Sequence, residues 1–127
     1  MLVFAARIFA IPPQQRQVGN TLVKAGISTK KIMPLLVTIA SKYGKYLRSV
    51  QGKYTSCYID IDLEPNSNIC NVDEMERVTK RVVDNVMSFY PSCKGEVALT
   101  ASSSDRFHFI FENGRITEDK SIRSKEK

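Results

Sequence analysis

The chain has 127 residues, 43% hydrophobic and 25% charged, which excludes disordered and fibrous classes and fits one domain able to bury a core. Its net charge of +6 is unevenly placed: residues 1 to 59 carry nine Lys or Arg and no acid, while all thirteen acids lie from Asp60 onward among ten further basic residues, so the first half favours a polyanionic partner such as nucleic acid. Three cysteines (Cys57, Cys70, Cys93) with no CxxC pair and a single histidine exclude a zinc finger and argue against a disulfide framework, so a reducing, intracellular setting is expected.

The first apolar run, Leu2 to Pro12, is too short and too interrupted by Arg7 for a membrane span and lacks the charged leader of a secretory signal, although an Arg-bearing, acid-free transit peptide fits it. Pro12-Pro13 punctuates the chain, and residues 14 to 25 read as a helix with Val18, Leu22 and Val23 on one side, ending at Gly26. Ser28 is a good N-cap for a second helix. In it Ile32, Leu35, Leu36, Ile39, Ala40, Tyr43 and Leu47 recur at helical spacing to about Val50, with Pro34 tolerated in the first turns. Lys30, Lys31, Lys42, Lys45 and Arg48 decorate its exposed side and are the candidate nucleic-acid contacts.

Gln51-Gly52 marks a turn into a strand, Tyr54 to Leu63. Side chains alternate along a strand, so Cys57, Ile59, Ile61 and Leu63 point to the core while Asp60 and Asp62 share the other face. Acids are poor strand formers and like charges on one face repel. A hard divalent cation, held by one or two carboxylates together with substrate phosphates, resolves that repulsion. A solvated polar face is the plainer reading of the same pair.

Glu64 to Asn68 is rich in turn formers, and Asn71 with Glu74 forms a capping box for a helix with Met75, Val78, Val82, Val86 and Phe89 as its buried stripe, stopping before Pro91. A strand over Glu96 to Thr100 leads through the polar turn Ala101 to Asp105 into Arg106 to Phe111, closed by Asn113-Gly114 and a charged tail. In that last strand the three phenylalanines share one face, and Arg106, His108 and Ile110 the other. Should it neighbour the acid-bearing strand, His108 looks toward Asp60 and Asp62; the serine-rich turn before it offers hydroxyls and N–H groups suited to phosphate oxygens. The elements together give an α+β fold.

Tyr58-Ile59-Asp60-Ile61-Asp62-Leu63, an intervening helix, and Leu99 to Phe111 with its Ser-rich turn and histidine resemble the archaeo-eukaryotic primase superfamily, closest to the primase-polymerase group, over roughly residues 54 to 111. The resemblance implies an RRM-like antiparallel sheet with packed helices (54–115), preceded by the basic, mainly helical segment (1–53) and followed by the charged tail (116–127). It implies template-directed nucleotidyl transfer on single-stranded DNA from nucleoside triphosphates, with Mg²⁺ or Mn²⁺ held by Asp60 and Asp62 as catalytic ligands. His108 would contact the nucleotide phosphates, assisted by Arg106, Ser103 and Ser104. Arg106 stands where the family commonly has a small hydroxyl residue, and neither Glu118 nor Asp119 has the hydrophobic strand expected around a third carboxylate motif. The chain is therefore expected to be the N-terminal part of such an enzyme, incomplete by itself or completed by a second polypeptide. The alternative is a non-catalytic, basic RRM-like nucleic-acid-binding protein, for which Tyr54, Tyr58 and the phenylalanines are candidate base-stacking residues. A third is a structural interaction protein whose charge is incidental.

Overall fold

A computed structural model describes residues 14–26, 30–66, 71–102 and 104–123. Among the described residues the fold is α+β: seven strands in one mixed sheet, with two helices packed against it. In chain order these are β1 (Gln14–Val18), β2 (Thr21–Ala25), a 3-10 turn (Lys30–Ile32), α1 (Met33–Tyr43), β3 (Leu47–Thr55), β4 (Tyr58–Pro65), α2 (Val72–Phe89), β5 (Lys94–Thr100), β6 (Arg106–Glu112) and β7 (Arg115–Asp119).

The strands stand side by side in the order of the chain. β2–β3 and β4–β5 are parallel, each pair joined across its own helix, and the remaining neighbours are antiparallel. Both crossovers advance in the same direction along the sheet, so a common hand places α1 and α2 on the same side. One core follows. Val23, Ala25, Val50, Ile59, Ile61, Leu63, Val97, Leu99, Phe107, Phe109 and Phe111 from the sheet meet Leu35, Leu36, Ile39 and Ala40 of α1 and Val78, Val82, Val83 and Val86 of α2.

The elements form where local chemistry agrees with this layering. Asn71 caps α2, its side chain accepting from the Glu74 N–H at 2.8 Å, with Asp73 and Glu74 favourable at the positive helix end. The helix closes at Tyr90, just before Pro91. α1 carries Pro34 in its first turn and ends at Gly44. Gly95 permits β4 and β5 to meet: a Cβ there would stand 1.9 Å from the Ile59 carbonyl oxygen.

Several expectations are corrected. The sheet is mixed and its strands run in chain order, in place of an antiparallel RRM-like arrangement. Residues 14 to 25 are a β-hairpin turning at Gly19-Asn20, because Gln17, Gly19 and Thr21 favour a turn between two short strands over a helix. The second helix stops at Tyr43, and Leu47 to Val50 belong to β3, which runs straight through Gln51-Gly52 and past residue 53. The turn lies instead at Ser56-Cys57, where both residues have positive φ (50° and 62°) as a two-residue type I′ hairpin requires. Cys57 is consequently exposed on the turn and outside the core. It is disulfide-bonded to Cys93, against the expectation of free thiols, and the bond joins the starts of β4 and β5. Phe89, expected in the buried stripe, is 43% exposed. Part of the expected tail is β7, and Ile122 bridges back to Arg106. The readings of Leu2 to Pro13, Ser28 and Cys70 lie outside the described residues. Among the described residues, no helix is long and apolar enough to cross a membrane.

Candidate functional site

The helices cover one face of the sheet; on the other, the strand registers line up polar residues in rows. Lys53, Asp60, Glu96 and Ile110 form one row across β3 to β6, and Gln51, Asp62, Ala98 and His108 the next. Asp60, Asp62 and His108 therefore share the open face, as their alternation with Ile59, Ile61 and the phenylalanines requires. His108 is not on the neighbouring strand, however. β5 intervenes, so His108 and Asp62 are two strand spacings apart, roughly 10 Å between backbones.

The link across that gap is Glu96, a residue whose role the sequence reading passed over. Its Oε1 lies 2.6 Å from His108 Nε2, and its Oε2 accepts from the Tyr58 hydroxyl at 2.5 Å. On the far side of the imidazole, Arg106 Nη1 is 2.8 Å from His108 Nδ1, and Arg106 Nε donates to Thr100 Oγ1 at 3.1 Å. The His108 backbone N–H donates to Ser121 Oγ at 3.0 Å. A continuous chain, Tyr58, Glu96, His108, Arg106, Thr100, thus crosses three strands. Glu96, Tyr58 and Thr100 all obey the period of two that located Asp60, and Glu96 is an acid inside a strand for the same reason.

The electrostatics set Glu96 and Asp60 apart. Glu96 is held below the usual carboxylate range, first by the Tyr58 hydroxyl and then by His108. In return the Tyr58 hydroxyl is pushed up to about 12, mainly by donating to Glu96. Asp60 is displaced upward, first by burial and then by the negative charges of Asp62 and Glu96, against the opposing pull of Lys53 and His108. Among the described residues the Asp60 carboxylate accepts no hydrogen bond and joins no ion pair. It is a half-buried acid facing two others with its lone pairs uncommitted.

The remaining expected site residues do not converge on this face. Lys31 lies on the helix side, its Nζ 5.3 Å from the Tyr54 ring centroid, and Lys42 donates to Asn85 of α2 at 3.2 Å. Lys45 sits over Tyr46 in the α1–β3 connection, and Arg48 is paired with Glu64 at 2.5 Å. The side chain of Lys30 and all of Ser103 lie outside the described residues. In the serine turn the N–H groups of Ala101 and Ser102 both go to the Asp105 carbonyl, and that of Ser104 to Ser102 Oγ. Those three donors are occupied by the turn itself. Basic residues that do share the acid face include Lys24, Lys53, Lys94, Arg106 and Arg115, and the charge of Lys120 also acts on Glu96.

Asp60 and Asp62 suit the two-carboxylate side of an Mg²⁺ or Mn²⁺ site completed by phosphate oxygens and water. A larger protein cage is not in evidence: among the described residues, no group of three or more His, Cys, Asp or Glu is placed to hold a metal ion, and Glu96 is engaged by Tyr58 and His108. The acid face is an open platform; concavities of about 370 Å³, beside Gly19 and Gly44, and about 500 Å³, along Asp73 to Asp84 of α2, lie elsewhere. No family model, curated protein or solved structure matches the chain.

Proposed function

We propose that the open sheet face is a divalent-cation-dependent nucleotide site, and that the chain belongs to a nucleotidyltransferase of primase-polymerase type acting on a DNA template. The observation that carries this reading is Asp60: an uncommitted carboxylate, raised first by its partial burial and then by two neighbouring acids, on the same face as His108 and Arg106. A bound divalent cation relieves repulsion of that kind. Mg²⁺ or Mn²⁺ held by Asp60 and Asp62 would neutralise a triphosphate and ease deprotonation of the attacking hydroxyl. The chain's own residues orient the phosphate: Arg106 supplies a positive fork, and Lys53 and Lys94 flank the acids on the rows that an incoming polyanion would cross.

The rival, non-catalytic reading requires aromatic rings on the open face for bases to stack on. Phe107, Phe109 and Phe111 are 0–1% exposed on the helix side, and Tyr54 lies there with them. Tyr58 is on the open face with its hydroxyl bound to Glu96. That leaves the cation reading as the stronger.

Calorimetric titration of a nucleoside triphosphate into the protein with and without Mn²⁺ decides between them. Binding that requires Mn²⁺ and is lost in Asp60→Ala is the expected result; nucleotide incorporation on a single-stranded template, abolished by the same change, would extend it to catalysis. Binding that is indifferent to Mn²⁺ and unchanged in Asp60→Ala would refute the proposal.

A further inference from the structure

The contacts around His108 determine its tautomer, and with it the role of Arg106. A guanidinium has only donors, so the 2.8 Å contact between Arg106 Nη1 and His108 Nδ1 makes Nδ1 the acceptor. The ring proton is then on Nε2, where it is donated to Glu96 Oε1 at 2.6 Å. Glu96 is fixed in turn by the Tyr58 hydroxyl. Both ring nitrogens of His108 are spent on these partners, and its side chain is only 11% exposed. It cannot reach a phosphate without giving up one of them.

Arg106 is in the opposite position. Of the five N–H donors of its guanidinium, Nε–H goes to Thr100 and one Nη1–H to His108, leaving three, both on Nη2 included, without a partner among the described residues. Among the described residues no carboxylate is bound to it directly; the His108 imidazole stands between it and Glu96. The side chain is thereby held at two points while its charge stays unneutralised. Direct pairing with Glu96 would have spent both the donors and the charge.

We infer that Arg106 is an oxyanion-binding residue that takes a phosphate group on its free donors, and that His108, fixed as the Nε2–H tautomer between Arg106 and Glu96, is its positioning residue. The expected roles are thereby exchanged: His108 orients, and Arg106, which stands where the primase motif carries a small hydroxyl, binds. The preferred ligand is the di- or triphosphate tail of a nucleotide, whose terminal group offers oxygens to a planar fork. Only that last identification rests on the proposed function; phosphate binding by Arg106 does not require Asp60, Asp62 or a metal ion.

The test uses the full chain in EDTA at constant ionic strength, so that failure of the cation site leaves it unaffected. Because the chain has one histidine, its ring nitrogens are directly assignable by ¹⁵N NMR. Expected at neutral pH are a protonated Nε2 and an unprotonated Nδ1, and an Arg106 Nε–H resonance that shifts saturably on addition of pyrophosphate. Arg106→Gln, and Arg106→Lys which keeps the charge but not the fork, should each weaken pyrophosphate binding at least about tenfold. Arg77→Gln, the same charge change on the solvent side of α2, should not. Glu96→Ala should mix the His108 tautomers and weaken binding severalfold while circular dichroism stays that of the folded protein. A short single-stranded DNA without terminal phosphate is the second arm: a weaker shift of Arg106 than with pyrophosphate assigns the site to a nucleotide tail, an equal one to a phosphodiester backbone. A protonated Nδ1 in the unaltered protein, or pyrophosphate binding unchanged in both Arg106 variants, would overturn the inference.

Discussion

Replacing Asp60 by Asn keeps the shape of the side chain and removes the charge, so it isolates what that charge costs the fold. Like charges adjacent on a sheet face cost roughly 0.2–1 kcal/mol per pair. Asp60 has two such neighbours, Asp62 along its strand and Glu96 across from it, partly offset by Lys53 on the other side. With solvent screening on an open face, the net gain in Asp60→Asn is about 0.5–1 kcal/mol near neutral pH, a rise of about 2–5 °C in Tm. The pH dependence has a definite sign. The carboxyl of Asp60 holds its proton more tightly in the folded protein than in the unfolded chain, so its ionisation removes stability as pH rises from about 4 through the raised value. The variant's advantage should therefore be full near pH 7 and vanish near pH 3, where both chains carry a neutral group. Saturating Mn²⁺ should reverse the order. A ligand bound only by the folded state at a hundred times its Kd adds about 2.7 kcal/mol, and only the unaltered protein should receive it. Thermal unfolding followed by circular dichroism, near pH 3 and pH 7 with and without Mn²⁺, reads all four conditions. Loss of stability in Asp60→Asn at neutral pH, a gain that persists at low pH, or equal stabilisation of both chains by Mn²⁺ would refute the reasoning.

Three other perturbations probe the frame around the site. Tyr58→Phe removes the hydroxyl from Glu96 and should cost about 1 kcal/mol in urea unfolding, less than the roughly 1.5–3 kcal/mol of a buried bond to a charged acceptor because the pair is half-exposed. Its ionisation near 12 in the folded protein, against about 10 unfolded, means the stabilisation is present below pH 10 and lost as pH rises toward 12, a component the variant should lack. Cys57→Ser, or reduction, opens a cross-link between residues 36 apart and should lower stability by about 2–4 kcal/mol, measured by chemical denaturation of the oxidised and reduced protein. Gly95→Ala sets a Cβ against the Ile59 carbonyl oxygen and should destabilise by at least roughly 1–3 kcal/mol, with the largest hydrogen-exchange changes along β4 and β5.

What the sequence reveals here is what period and capping encode locally. α2 announces itself through Asn71, Glu74 and its valine stripe, and β6 through three phenylalanines alternating with Arg106 and His108. Asn113-Gly114, with φ of 54° and 78°, is the hairpin turn its composition indicates. The second hairpin turn is hidden, because Ser56 and Cys57 adopt positive φ without a glycine or asparagine to mark it. Leu47 continues the helical spacing of Tyr43 in the sequence, and Gly44, whose own φ is helical at −62°, gives a weak stop. The site shows the same division. Alternation alone places Asp60, Asp62 and His108 on one face, whereas the Glu96 bridge depends on β5 lying between β4 and β6, which is a property of sheet order. The basic residues divide for a similar reason: Lys31 and Lys42 belong to the helix layer, whereas the cations facing the acids, Lys53 and Lys94, are set by strand register.

Paramagnetic broadening by Mn²⁺ tests the cation site most directly. In ¹⁵N spectra recorded with a nucleoside triphosphate present, substoichiometric Mn²⁺ should selectively broaden the amides of Asp60, Asp62 and their cross-strand neighbours Glu96 and Ala98, and Asp60→Asn should abolish the effect. Broadening centred elsewhere, such as on the acids of α2, or unchanged in Asp60→Asn, would contradict the proposal that Asp60 and Asp62 hold a metal ion.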